Sequence, residues 1–222
     1  MYTILFYFLL FIIYSFIGWC LEVIYCYYRT KKIINRGFLI GPYCPIYGAG
    51  CVLIILLLKR YSNDALALFI MSIVICSILE YLTSYIMEKL FKTRWWNYSN
   101  RRFNINGRIC LETMIPFGIG GVFIMKIVNP FFSEILNKIP KGMLVGISII
   151  ILILFLIDNI ISFSVVSKVK VSASKLKLDS TEELTEIVKQ KLIEHSLLAR
   201  RLIKSFPNIK ILKRSYKKGR KK

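Results

Sequence analysis

Four carboxylic acids lie within or at the ends of long apolar stretches of this chain. These acids are Glu22, Glu80, Glu112 and Asp158. An ionisable group inside an apolar membrane segment is costly, and it usually faces protein or water rather than lipid. In a medium of low dielectric constant, a carboxylate takes up a proton or finds a cation. The acids therefore indicate either a polar chamber that binds a cation, a proton or a basic substrate, or a set of ion pairs that lock the helices together.

Candidate partners for these acids occur in the polar links between the apolar stretches. The links carry several arginines, and the segment Asn104–Glu112 contains an Asn-Gly pair, which is a turn signal. The predicted substrate or ion pocket consists of Glu22, Glu80, Glu112, Asp158, Arg36, Arg94, Arg108, Asn104 and Asn106.

Signatures of catalysis and of metal binding are lacking in the apolar part of the sequence. The one histidine, His195, lies near the end of the chain, which excludes a Ser-His-Asp set and an H-E-x-x-H motif there. None of the six cysteines forms a C-x-x-C pair, so we expect no structural zinc. We predict that the chain is not an enzyme and has no cofactor of its own. An intramembrane enzyme that uses only carboxylates ranks third among the functional interpretations.

Membrane helices are the elements that must position these residues. Of the 222 residues, 56% are hydrophobic, and about 20 consecutive apolar residues cross the hydrocarbon core of a bilayer. The predicted fold class is all-α, a polytopic membrane helix bundle with about five transmembrane helices. The five segments are Tyr2–Tyr25, Cys44–Leu58, Ala65–Met87, Cys110–Val128 and Gly142–Ser167. The second and fourth are short and are broken by Pro and Gly.

Basic residues set the predicted orientation, because short cytoplasmic loops collect Lys and Arg. The links after the first and third segments, and the tail from Lys168 onward, are the most basic parts of the chain. Five spans then place the N-terminus outside and the C-terminus inside the cell, with all four acids in the cytoplasmic third of the bilayer. This parity fails if residues 37–58 dip into the membrane and return to the same side.

The stretch Asn35–Gly50, NRGFLIGPYCPIYGAG, is almost uncharged but rich in residues that break regular structure. Irregular backbone at membrane depth is tolerated where it is buried in protein or lines a cavity. One interpretation is therefore a cavity wall that faces the acids. The other is an interfacial loop whose glycines permit close packing of helices. The predicted structural loop consists of Gly37, Gly41, Pro42, Pro45, Tyr47 and Gly48.

The tail is predicted to be a cytoplasmic region of its own, residues 168–222, after a transmembrane domain of residues 1–167. Asp179–Phe206 shows an apolar stripe at helical spacing, and Ser180 with Glu183 fits a capping box. Eleven Lys and Arg residues and no acid follow from Arg200 to Lys222. Such a tail binds anionic lipid headgroups, and we rank nucleic acid, which uses the same electrostatics, well below lipid.

Five motifs occur in order along the apolar part of the chain. They are Gly18–Glu22 (GWCLE), Asn35–Gly48 (NRGFLIGPYCPIYG), Glu80–Ser84 (EYLTS), Arg94–Ser99 (RWWNYS) and Asn104–Leu111 (NINGRICL). Together they resemble a bacterial membrane family, the putative ABC-transporter type IV or CmpB-like group. The resemblance covers about residues 5 to 165 and leaves out the tail.

The resemblance implies a multi-pass permease of the bacterial plasma membrane. The chain has no G-x-x-x-x-G-K-[ST] motif, so it cannot hydrolyse ATP itself, and a separate ATPase subunit would have to dock on its inner links. The leading prediction is a transporter subunit with an acidic pocket that opens to the cytoplasm. The alternative is a non-transporting scaffold or regulator whose basic tail binds anionic lipid or a partner protein. Assembly with further copies of the chain is left open.

Overall fold

The computed structural model describes residues 2–174, 185, 187, 190, 196–206 and 209–211. Its architecture is a bundle of α-helices, which confirms the predicted all-α class. The helices are α1 (Tyr2–Thr30), α2 (Pro45–Leu58), α3 (Ala65–Phe91), α4 (Leu111–Phe123), α5 (Asn129–Lys138), α6 (Lys141–Ser174) and α7 (Leu197–Ser205). A 3₁₀ turn, Lys59–Tyr61, follows α2, and a π-helical turn, Ile124–Val128, joins α4 to α5.

Within the described residues, four helical stretches are long and apolar enough to cross a membrane, so the chain is a multi-pass membrane protein. They are Tyr2–Thr30, Ala65–Phe91, Leu111–Lys138 and Lys141–Ser167. The second predicted span, α2, has 14 residues. At 1.5 Å per residue it is about 21 Å long, which is less than the ~30 Å hydrocarbon core. The predicted count of five spans is therefore not confirmed.

The fourth predicted segment extends beyond its predicted end at Val128. The helix continues through the π-helical turn and α5 to Lys138, so that only Ile139 and Pro140 separate it from α6. The predicted end at Val128 falls two residues before Pro130. Pro130 lies in the first turn of α5, directly after the π-helical turn, where the regular i→i−4 hydrogen bonds of the stretch are already interrupted.

The short helix α2 lies in the interior of the bundle and packs against both α1 and α3. Its glycines permit this: a Cβ added at Gly48 would overlap the side chain of Ser15 and the backbone of Phe11 in α1. In return, Gly18 of α1 leaves room for the ring of Tyr47. The helices α3 and α4 approach each other closely in the same way, because Gly121 lies directly against Ser72.

The two ends of the bundle differ in structure. We call the end that carries Glu22 the inner end, and the end that carries Tyr2 the outer end. Short antiparallel pairs lie at the inner end, β2 (Asn104–Ile105) with β3 (Ile109–Cys110), and β1 (Thr93–Arg94) with β4 (Lys210–Ile211). The β2–β3 turn uses the predicted Asn-Gly pair, with φ of 52° at Asn106 and 65° at Gly107.

The predicted tail helix Asp179–Phe206 is not one continuous helix. Ser196 has extended backbone and caps α7, because its side chain accepts a hydrogen bond from Ala199 N at 3.3 Å. The predicted capping box of Ser180 and Glu183 lies outside the described residues, as do residues 212–222 of the basic tail. The division at residue 167 stays a prediction, and α6 itself runs on to Ser174.

We expect Gly121→Ala to destabilise the bundle, because the new methyl group would meet the side chain of Ser72, which is fixed on α3. Overpacking of this kind costs about 1–3 kcal/mol. The matched control is Gly120→Ala, since a Cβ at Gly120 meets nothing within 4 Å and gains the same helix propensity. Thermal unfolding in detergent would measure both. Equal melting temperatures for the two variants would contradict the close α3–α4 contact.

Candidate functional site

Asp158 of α6 accepts four hydrogen bonds, three of them from the irregular loop Asn35–Cys44 and one from Ser162 of its own helix. Its Oδ1 accepts from Ile40 N at 2.9 Å and from Ser162 Oγ at 2.8 Å. Its Oδ2 accepts from Gly41 N at 2.7 Å and from the hydroxyl of Tyr43 at 2.6 Å. Two of these donors are backbone N–H groups from a segment that has no regular structure. The carboxylate is therefore a clamp, the Asp158 clamp, that holds the loop against the bundle.

Other groups satisfy the remaining backbone of this loop. The Asn35 side chain donates to Ile40 O at 3.0 Å and accepts from Trp19 Nε1 at 2.7 Å. Cys44 N donates to Ser15 O at 2.9 Å. Gly37 has a φ of 125°, which other residues adopt only with strain. The predicted loop residues Gly37, Gly41 and Pro42 lie in it, whereas Pro45, Tyr47 and Gly48 belong to α2.

The helix α7 covers the other side of the same loop. Arg201 donates to the carbonyl oxygens of Gly37, at 2.9 Å, and of Leu39. Burial lowers the pKa of Arg201, and the nearby Asp158 carboxylate acts in the opposite direction. Ser205 Oγ donates to Asn35 O at 2.5 Å.

Apolar contacts complete this docking. The ring of Phe206 meets Trp95 edge-on at 5.0 Å between centroids, and Leu202 is buried in the same cluster. Ala199 and Leu202 of α7 are thus buried against protein, whereas Leu197 at its start is 79% exposed.

Glu22 accepts a hydrogen bond from the first turn of α2, directly after the loop. Tyr47 of α2 donates its hydroxyl to Glu22 Oε1 at 2.7 Å, and Arg36 Nη2 lies 3.5 Å from Glu22 Oε2. Arg36 also donates to the carbonyl of Ser205, at the end of α7. Arg36, one of the arginines predicted for the pocket, therefore pairs with Glu22, and the same arginine contacts the tail helix.

Glu80 of α3 lies in a different environment. It is 8% exposed and accepts from the hydroxyls of Tyr98, at 3.3 Å, and Thr113, at 3.4 Å. No Lys or Arg of the described chain forms an ion pair with it. Burial raises the pKa of Tyr98, followed by the charge of Glu80 and, more weakly, of Glu22. Tyr98 therefore lies within the electrostatic reach of both acids.

Arg94 and Arg108 do not reach the predicted acids. Both pair with Glu88 Oε2, at 2.9 Å and 3.1 Å. Sequence analysis missed Glu88 because it precedes Lys89 at the end of an apolar segment, where a charge is ordinary. Glu88 lies just over two helical turns after Glu80, close to the same face of α3, and this spacing is the one signal that could have indicated Glu88 as a member of the site. Tyr98 is not among the predicted pocket residues either, although its hydroxyl donates to Glu80.

The remaining predicted pocket residues lie at the periphery. Glu112 pairs with Arg101 at 3.1 Å, with side-chain exposures of 60% and 51%, so this pair contributes at most about 1 kcal/mol. Asn104 holds the hairpin turn by accepting from Gly107 N at 3.0 Å. Asn106 donates to the hydroxyl of Tyr81 at 2.9 Å and is exposed. These three residues lie at the inner end, but their hydrogen bonds and ion pairs within the described chain do not involve Glu22 or Asp158.

Comparison with known families bears on this arrangement. A family model described as putative ABC-transporter type IV matches residues 9–163. The chain belongs to this family. Comparisons with curated proteins and with solved structures found no match.

The part of the chain that matches the type IV family includes the loop and all four predicted acids. It ends at residue 163, so it includes Asp158 and excludes α7 with its Arg201. The Asp158 clamp and the Glu22–Tyr47 contact therefore lie wholly within the family region, whereas the cover of the loop by α7 does not.

We expect Asp158→Asn to loosen the loop, because a neutral amide is a weaker acceptor for two backbone N–H groups and one hydroxyl. Each hydrogen bond to a charged group contributes about 1.5–3 kcal/mol to stability, which is the most that its loss would cost. The buried thiol of Cys44, 7% exposed, should then react faster with a small thiol reagent, as read by peptide mass spectrometry. The control is Asn159→Ala, whose side chain bonds only to Phe155 O of its own helix. Unchanged labelling of Cys44 in Asp158→Asn would contradict the clamp.

Proposed function

We propose that this chain is the membrane-spanning permease subunit of an ATP-driven transporter in the bacterial plasma membrane. We further propose that Glu80, with Glu22 near it, binds a proton or a basic solute that enters from the cytoplasm. Membership of the type IV family supports the first statement. The environment of Glu80 supports the second.

The single observation that carries the proposal is that Glu80 is buried without a cation. Of the other acids at the inner end of the described chain, Glu22 has Arg36, Glu88 has two arginines and Asp158 has two backbone N–H groups. Glu112 is exposed to solvent and needs no such compensation. A buried carboxylate left with two long hydroxyl contacts is costly, because its lost hydration is not replaced. A proton or a bound cation would remove that cost.

The same contacts limit the kind of cation. Within the described residues, no group of three or more His, Cys, Asp or Glu side chains is close enough to hold a metal ion. One buried carboxylate, flanked by the hydroxyls of Tyr98 and Thr113, suits a proton or an organic monocation better. The chemical class proposed is therefore a basic solute with an ammonium or guanidinium group.

One observation favours the alternative function, a membrane scaffold or regulator. Apart from Glu80, the acids at the inner end are used in contacts that fasten helices or loops to each other. A protein built only for such fastening would need no solute site, and its tail helix would serve as the regulated part. We rank this function second because it does not explain why the Glu80 carboxylate is buried without a cation. In either case we propose that the chain itself is not an enzyme and carries no cofactor.

The binding proposal is tested on purified protein in nanodiscs with methylguanidinium as the probe. We expect Glu80→Gln to weaken binding at least about tenfold, which is ~1.4 kcal/mol. Glu112→Gln is the matched control, because Glu112 is exposed and already paired with Arg101. Acidification should weaken binding to the wild type, since protons compete for the same carboxylate. Equal affinity of Glu80→Gln and the wild type would remove Glu80 from the site.

The permease proposal is tested by purification from native membranes. The chain lacks a phosphate-binding loop, so an ATP-driven transporter needs an ATPase subunit in addition. We expect such a subunit to co-purify with a tagged copy of the chain and to be absent when an unrelated multi-pass protein carries the tag. If no ATPase is enriched over that control, the scaffold function is favoured instead.

A further inference from the structure

A cavity of about 360 Å³ lies at the outer end of the bundle, far from the acids discussed so far. It is bounded by the start of α1, the end of α2, the π-helical turn and α5. Twenty residues of α1 separate Tyr2 from Glu22, which corresponds to about 30 Å along the helix. We propose that this cavity binds a small organic anion with an apolar body. The proposal is independent of the function assigned to the inner end.

The floor of the cavity is apolar. It is formed by Leu10, Ile55 and Met125, which are 0%, 5% and 7% exposed. Met125 reaches this position from the π-helical turn Ile124–Val128. Such turns insert one residue into a helix, redirect the side chains that follow, and occur frequently at functional sites. The floor therefore suits a short alkyl or aromatic group.

A fixed hydrogen-bond donor lies beside this floor. The Oδ1 atom of Asn129 accepts from the hydroxyl of Tyr14 at 3.1 Å and from Ser133 Oγ at 3.2 Å. These two bonds occupy the acceptor and fix the orientation of the amide. Its NH₂ group has no acceptor within the described part of the chain, although Asn129 lines the cavity. An amide held in this way is ready to donate to a ligand.

The charge of the cavity selects the sign of the ligand. Lys59 lines it, and across residues 2–174 no acid forms an ion pair with this lysine. No Asp or Glu is among the lining residues. A second cation is close, since Lys141 Nζ lies 5.7 Å from the ring of Tyr2. An ammonium group and a fixed donor above an apolar floor are complementary to a carboxylate or phosphate that carries a hydrocarbon part.

The volume limits the size of that anion. Pockets for small molecules usually measure about 300–1,000 Å³, so this cavity takes a ligand at the small end of the range. Two sources share the required chemistry: a free organic acid from solution, and the anionic headgroup of a lipid in the same leaflet. The experiment below separates them.

The probe is hexanoate, titrated by calorimetry into protein held in phosphatidylcholine nanodiscs, with empty nanodiscs subtracted. We expect saturable binding of hexanoate and none of hexylammonium, which has the same chain and the opposite charge. Lys59→Gln should weaken hexanoate binding at least tenfold. Arg60→Gln is the matched control, because Arg60 is the next residue of the same turn and does not line the cavity. Its affinity should equal that of the wild type.

A second variant keeps the outcome interpretable if Lys59→Gln alters the turn. Asn129→Asp preserves the acceptor for Tyr14 and Ser133 but replaces the donor by a negative charge, so hexanoate binding should be lost. Competition by phosphatidylglycerol in the nanodiscs would assign the site to lipid headgroups, and its absence would assign it to free organic acids. Binding of hexylammonium, or equal hexanoate affinity in the wild type and both variants, would overturn the proposal.

Discussion

The need to give every buried backbone polar group a partner governs the inner end of this protein. Irregular backbone that is covered by other parts of the chain has to be satisfied by protein. The loop Asn35–Cys44 meets this requirement from two directions: Asp158 receives its N–H groups, and Arg201 donates to its carbonyl groups. One acid and one arginine thus replace the hydrogen bonds that a helix would have formed within itself.

The loop in turn sets the position of α2, whose first residue, Pro45, follows it directly. Because α2 is short, the loop must bring its start to the level of Glu22, where Tyr47 can reach the carboxylate. Glycines on α1 and α2 then let the two helices approach closely. The same packing affects the position of Glu80, because α2 also packs against α3, the helix that carries this acid.

Much of the fold follows from composition and periodicity, and much of the site does not. Long uncharged runs predict α1, α3 and α6 because lipid imposes a length and a composition on any spanning helix. The fourth stretch ends at Lys138 and not at Val128, because Pro130 follows a π-helical turn and does not end the helix.

The partners of individual charges are harder to predict. Of the three arginines predicted for the pocket, Arg36 pairs with one of the predicted acids, Glu22. Arg94 and Arg108 were assigned to the pocket, but they pair with Glu88. That choice depends on side-chain reach within a few ångströms, which spacing along the chain does not encode. The docking of α7 was missed for a similar reason, because an amphipathic stripe has the same pattern whether protein or lipid covers it.

The partners of the loop lie far along the chain, and this has a consequence for biosynthesis. The N–H group of Ile40 donates to Asp158, which lies 118 residues later in the chain. The carbonyl group of Gly37 accepts from Arg201, which lies 164 residues later. While the ribosome is still producing the second half of the protein, these peptide groups have no permanent partners. They must stay at the water interface or be held by the insertion machinery during that interval. The completed inner end is therefore one of the last parts of the molecule to assemble.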